Sequence, residues 1–248
     1  MKIRGTVAAM VGIGLILAGL TTPATAADGE TLEAARVGTT VGIDAATDTQ
    51  RARAFLLQFG VSAATATRLV ERAEAGLLSE ADTPGAVPAS TERYTQNGVA
   101  YLVSRYQDGS ISVLDHDVPR ELPTGSATPA SGIGGCTVGG SGSSYTTYTG
   151  CRVRYRTHIF SFGFYVNFTQ NGSYATVGKA YGKFHDYAIG HEKKSWSLKV
   201  IRERGTSANP AHVQLAIEYL TGIGPISVTI NKGIRFKAHG AQYWYETS

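Results

Sequence analysis

Beyond residue 90 the apolar positions recur mostly at every second residue, the spacing that gathers them on one face of a β-strand. Residues 91–96, 99–106 and 110–115 read as three strands of a meander. Asn97-Gly98 and Asp108-Gly109 supply the positive φ angles that tight hairpin turns need. Further on, Val153, Tyr155, Thr157 and Ile159 alternate with Arg152, Arg154, Arg156 and His158. Phe164, Val166 and Phe168 follow in the same manner, then Trp196, Leu198 and Val200, then Val213, Leu215, Ile217 and Tyr219. Segments 226–230, 233–239 and 242–246 complete seven or eight strand candidates after residue 135. The fold class this predicts is mainly β: a C-terminal antiparallel β-sandwich or barrel, preceded by a small α+β unit.

The helical period occurs only before the meander. Thr47 is placed to cap a helix running to residue 59, with Gly60 behind it. Ser62 caps a second helix through residue 75, in which Ala66, Leu69, Val70 and Ala73 fall at i, i+3, i+4 and i+7, and Gly76 ends it. Two short helices in tandem look superficially like half of a helix-turn-helix. Their acidic surroundings favour a packing module, and no specific nucleic-acid role is expected. Ahead of them, residues 27–44 lack periodicity and read as a disordered mature N-terminus. Residues 1–26 carry Lys2 and Arg4, an apolar run from Val7 to Leu20 and an Ala-x-Ala ending, the pattern of a secretory signal peptide. The expected location is therefore extracellular.

Pro119, Pro123 and Pro129 punctuate residues 119–134, which are otherwise mostly small and polar, and this stretch reads as a linker. The expected layout is a small acidic α+β unit at 45–118, the linker, and a basic β-sandwich domain at 135–248. Charge divides at the same place. Residues 27–134 hold eight Lys/Arg against fourteen Asp/Glu, a net of −6, and residues 135–248 hold thirteen against five, a net of +8. Two units with different tasks, or two units that face each other, would give this asymmetry. The only cysteines, Cys136 and Cys151, are expected to form a disulfide in an oxidising compartment. Such a bond stabilises by roughly 3 kcal/mol through loop closure and needs Cα atoms about 4.4–6.8 Å apart. Their spacing lacks the paired arrangement of a zinc site, so no metal is expected.

Arg152, Arg154, Arg156 and His158 share one strand face about 7 Å apart. They are candidates for an anion-binding stripe, the alternative being a solvated outer strand face. Lys232, Arg235 and Lys237 repeat the pattern, and if the two strands adjoin, about five cations would share a face. His185, Asp186, His191 and Glu192 form the sole His/carboxylate cluster, in a segment of loop composition read as a solvent loop. Residues 139–144, rich in Gly and Ser inside the expected disulfide loop, read as flexible. No nucleophile elbow, P-loop or dinucleotide fingerprint is present, so catalytic residues are unknown, no cofactor is expected, and the balance is against an enzyme.

The run Phe55-Leu56-Leu57-Gln58-Phe59-Gly60-Val61, with Glu74-Ala75-Gly76 and Ser104-Arg105-Tyr106-Gln107-Asp108-Gly109-Ser110, resembles the front half of exported two-part proteins of actinobacteria. Gly135-Cys136 and Gly150-Cys151 resemble the start of their β-rich second half. This resemblance implies secretion and the two-part layout and carries no activity. Three functions compete. One is a secreted binding module or effector engaging an anionic cell-envelope polymer, an acidic glycan or a membrane surface. Another is an extracellular hydrolase with a site invisible in sequence. The last is a precursor whose acidic N-terminal half shields the basic domain.

Overall fold

The computed structural model describes residues 41–119, 135–223, 226–239 and 242–247. The expected signal peptide, residues 27–40 and linker residues 120–134 lie outside them. Helices α1 (Val41–Gln58) and α2 (Ala63–Glu74) form the pair that the helical periodicity indicates. The Ser62 hydroxyl accepts a hydrogen bond from the Thr65 amide at 3.2 Å, capping α2, and Gly60 and Gly76 follow the helices at φ +77° and +71°. α1 begins at Val41, so residues 41–44, expected to be disordered, are its opening turn.

A 3-10 turn at Glu80–Asp82 leads into β1 (Ser90–Gln96), β2 (Val99–Arg105) and β3 (Ile111–Asp117). Asn97 and Gly98, at φ 52° and 74°, make the turn between β1 and β2. Then come β4 (Thr137–Gly142), β5 (Tyr145–Arg156), β6 (Phe160–Asn171), β7 (Tyr174–Ala188), β8 (His191–Arg202), β9 (Arg204–Gly205), β10 (Ala211–Ile223), β11 (Ile226–His239) and β12 (Gln242–Thr247). The larger sheet runs β1-β2-β3-β5-β6-β7-β9 with β4 also on β5, and the smaller runs β12-β11-β10-β8. All pairings are antiparallel, and the chain is a β-rich sandwich of a large curled sheet and a smaller one.

The sandwich core follows from the period-two pattern. Phe160, Phe162, Phe164, Val166 and Phe168 of β6 are buried, facing Val213, Leu215, Ile217 and Tyr219 of β10. Phe160 stacks on Tyr219 at 4.2 Å between ring centroids, and Phe168 meets Phe236 of β11 at 4.8 Å. The helices cover the opposite face of the larger sheet. Phe59, just after α1, lies edge-on to Tyr101 of β2, and Arg156 of β5 sits over the rings of Phe55 and Phe59 at 5.1 and 5.3 Å. At the β7–β8 turn, Gly190 (φ +67°) passes so close to α2 that a Cβ there would collide with the Ala73 carbonyl. Only glycine fits this contact.

Cys136 and Cys151 are disulfide-bonded, with Cα atoms 4.0 Å apart, slightly below the expected separation. The segment expected to be flexible inside their loop is instead β4, paired with β5, and its tight turn.

β5 joins what composition separates. One edge of this strand is shared: β4 pairs along residues 145–149, and β3 of the acidic half pairs along 153–156. Val113 lies opposite Arg156, Leu114 opposite Tyr155, and Asp115 opposite Arg154. The two expected units therefore contribute strands to one sheet, and the described residues belong to one compact unit. The expectation that proteolysis of the linker releases a folded C-terminal unit is revised accordingly. A protease site inserted between Pro119 and Gly135 and cut quantitatively should leave two fragments that co-elute under native conditions and separate only in denaturant. Native dissociation after cutting would contradict the shared sheet.

Candidate functional site

The arginine strand is compensated from within. Asp115 and Asp117 alternate on β3 with the same period as the arginines on β5, and the antiparallel register sets them side by side. Arg154 Nε donates to both Asp115 oxygens at 3.2 Å, and Arg156 Nε donates to Asp115 Oδ2 at 3.0 Å. Arg156 Nη2 also lies 2.9 Å from that oxygen. Arg152 pairs with Asp117 at 3.2 Å and with Asp115 at 3.6 Å, while its backbone amide donates to Asp117 Oδ2. The three arginine side chains are only 22%, 21% and 10% exposed, and Asp115 is fully buried. Burial pushes the Arg156 guanidinium below its ordinary pKa, and it pushes Asp117 up despite Arg152. These side chains are not a solvated stripe. They form a buried ion network that welds β3 to β5.

The remaining expected members of the stripe lie elsewhere. His158 belongs to the turn after β5, is 1% exposed, and has its pKa lowered by burial. Lys232 on β11 donates to the Asp82 carbonyl at 2.8 Å and lies 3.9 Å from the Asp82 carboxylate. It lines a cleft with Tyr155, which is one residue out of phase with the arginines. Lys232 lies on the core-facing side of β11 in the smaller sheet, opposite Ile217, whereas Arg235 and Lys237 lie on the other face of that strand, so no five-cation face forms with the arginines of the larger sheet. Lys237 pairs with Glu246 at 2.7 Å, and the Arg235 Nε is buried without a hydrogen-bond partner among the described residues.

Two recesses flank the network. One, of about 620 Å³, lies beside α1 and is lined by Arg51, Phe55, Arg154, Arg156, Ser161 and Asp186. Within it the Ser161 hydroxyl donates to Asp186 at 2.6 Å, and Arg51 donates to the Asp186 carbonyl at 3.2 Å. The other, of about 570 Å³, opens between the sheets and is lined by Leu102, Tyr106, Ser112, Tyr155, Lys232 and Glu246 among others. Its lysine pKa is lowered by burial, partly offset by Asp82. The Asp82 carboxylate is held by the hydroxyls of Ser79 and Thr157 at 2.9 Å each. Ser104 and Ser112 in this cleft bond to Thr91 and Tyr106, respectively, each at 3.5 Å. These hydroxyls have hydroxyl partners, which gives them no base to activate them.

The His/carboxylate segment is not a loop but the ends of β7 and β8 around a tight turn. His185 lies 5.7 Å from the Tyr219 ring, while Asp186 meets Ser161 on the opposite face. His191 packs edge-on to Phe160 with its Nδ1 2.6 Å from the Ile189 carbonyl, and Glu192 is exposed. Strand alternation thus disperses these groups. Among the described residues no three His, Cys, Asp or Glu side chains are placed to hold a metal ion.

Among the described residues after 135, the exposed Lys and Arg side chains lie on β7, β8 and β9, where sequence reasoning did not place a site. Residues 174–205 hold seven Lys/Arg (Lys179, Lys183, Lys193, Lys194, Lys199, Arg202 and Arg204) against Asp186, Glu192 and Glu203, and all seven cations are exposed. Lys183 and Lys193 converge over the Trp196 ring at 4.6 and 4.0 Å. Lys194 pairs with Glu218 at 3.1 Å. The available signal was local density of charge, visible in Lys193-Lys194 and in Lys179 and Lys183, rather than periodic repetition on one strand.

No family model matches the chain, and no curated protein matches it significantly. Among solved structures it is similar to a hypothetical protein from Listeria monocytogenes, 12% identical, over 61% of this chain and 95% of that chain with a TM-score of 0.33. So loose a likeness carries no argument about activity.

Asp115→Asn should lower the unfolding free energy by about 3–5 kcal/mol in urea titration, because it leaves buried guanidinium groups unpaired. A loss near zero would show that the network carries no stability. Acidification gives a second test. Burial pushes His116 and His185 down to about 4, with Lys193 adding to the shift at His185. Below the ordinary histidine value of about 6.5 the unfolded chain takes up protons that these native histidines refuse. Stability should therefore fall as pH drops from about 6.5 to 4, by up to about 1.4 kcal/mol per pH unit for each histidine. His185→Gln should flatten that slope by as much as one proton.

Proposed function

We propose that this protein is an exported β-sandwich binding module that engages an anionic surface or polymer through the exposed cations of β7, β8 and β9. The observation that carries the reading is the division of the basic residues. The arginines of β5 are paired with Asp115 and Asp117 and largely withdrawn from solvent, whereas the surplus on residues 179–204 is exposed. Fields from cations so grouped add, and they attract a polyanion from a distance set by ionic strength. Export is supported by the signal-like first 26 residues and by the disulfide. No helix among the described residues is long and apolar enough to cross a membrane.

The precursor reading has one observation in its favour, the close docking of the acidic half on the basic one. Shedding that half would strip one edge of β5 and leave Arg152, Arg154 and Arg156 without their carboxylates. That cost favours a front half retained as part of the module.

The test uses the chain from residue 27 to 248 on immobilised heparin at two salt concentrations. Lys179, Lys183, Lys193 and Lys199 changed together to Ser should weaken binding about tenfold or more at low salt, since each exposed cation is worth up to ~1 kcal/mol. Lys237→Ser, at a residue already paired with Glu246, should bind like the parent. Equal binding by the parent and the quadruple variant would remove this face from the function.

A further inference from the structure

β8 forms one edge of the smaller sheet, and the larger sheet does not fully cover it. Val213, Leu215 and Ile217 on β10 are buried, yet their cross-strand neighbours Val200, Leu198 and Trp196 are not. Val200 is 43% exposed. A bulge follows: His212 lies opposite Arg202 and Val213 opposite Val200, so Ile201 has no partner across the ladder and is 52% exposed. Bulges re-aim side chains at sheet edges. The result is an apolar strip of Trp196, Val200 and Ile201, bordered by Lys183 and Lys193, whose ammonium groups lie over the Trp196 ring, with Lys199 and Arg202 exposed on the other face of β8.

Charge complementarity and this apolar strip together narrow the occupant. A soluble polyanion satisfies the cations but offers nothing to Val200 and Ile201. An anionic bilayer offers both, since phosphate groups meet the ammonium groups of Lys183 and Lys193 while apolar side chains enter the acyl boundary. Tryptophan suits that depth, with an apolar ring and a polar N–H. Resting on the anionic-surface reading and deepening it, we propose that the β7–β8 seam docks on an anionic phospholipid surface, with Trp196, Val200 and Ile201 inserted among the headgroups.

The experiment compares phosphatidylcholine vesicles, phosphatidylcholine/phosphatidylglycerol vesicles and heparin, using the oxidised chain from residue 27 to 248. The mixed vesicles should bind and the neutral ones should not. In a Trp244→Phe background, Trp196 emission should shift to the blue on binding and be quenched by lipid brominated near the headgroup. Val200→Ser with Ile201→Ser should weaken vesicle binding about tenfold while leaving heparin binding unchanged, because only the apolar contribution is removed. Circular dichroism would establish that this variant is folded, and Ile201→Ser alone provides a milder substitution should the pair fail to fold. Heparin binding without vesicle binding, or vesicle binding with no change in Trp196 emission, would overturn the lipid proposal and leave the polyanion reading standing. Binding to neither ligand would remove both. A concentration-dependent dimer abolished by the same substitutions would assign the seam to a second copy of the chain instead.

Discussion

A fully buried aspartate, Asp115, faces three arginines, and much of the architecture is arranged around that constraint. A carboxylate taken out of water is costly unless cations and donors surround it, and here Arg152, Arg154 and Arg156 do so from the adjacent strand. Slipping the β3–β5 pairing by one residue would turn Asp115 towards the opposite sheet face and leave buried charges of both signs unpaired. The network thereby selects one register. It also fixes the helices, because the Arg156 guanidinium is covered by Phe55 of α1 and by Phe59 just after it.

The same constraint accounts for the division of charge along the chain. The acidic half is not a neighbour of the basic half but supplies its carboxylates: Asp115 and Asp117 to the arginines, and Asp82 to Lys232. Once these cations are satisfied internally, the basic surplus falls on β7, β8 and β9. Lysines at the exposed edge of β8 also discourage strand addition by another chain, so charge there serves solubility as well as binding. Val200 and Ile201 work against that protection, which is why their exposure among cations points to a partner.

Much of the fold was legible from period and punctuation. Ser62, Gly60, Gly76 and the Asn97-Gly98 turn act as their local chemistry requires, and the β6 and β10 alternations match the buried faces. Proline-rich composition at residues 119–134 suggested a domain boundary, but composition cannot reveal a strand pairing across it. The arginine spacing correctly placed three guanidinium groups on one face, yet it could not identify what lay beside them. Asp115 and Asp117 carry the matching period on β3, and only the pairing of β3 with β5 gives that period its meaning. The β8 seam was harder still, because half-burial of Trp196 and Val200 depends on how far the opposite sheet extends.

Native-state hydrogen exchange tests the central claim most directly, by comparing β2 and β3 amides with those of β6 and β10. Strands joined by a buried ion network and a common core should unfold as one cooperative unit. The most protected amides of Val103 and Val113 should therefore exchange with the same opening free energy, and the same denaturant dependence, as those of Phe164 and Leu215. If the β2–β3 amides open at a distinctly lower free energy while β6 and β10 remain protected, the front half is a separable module and the account is wrong.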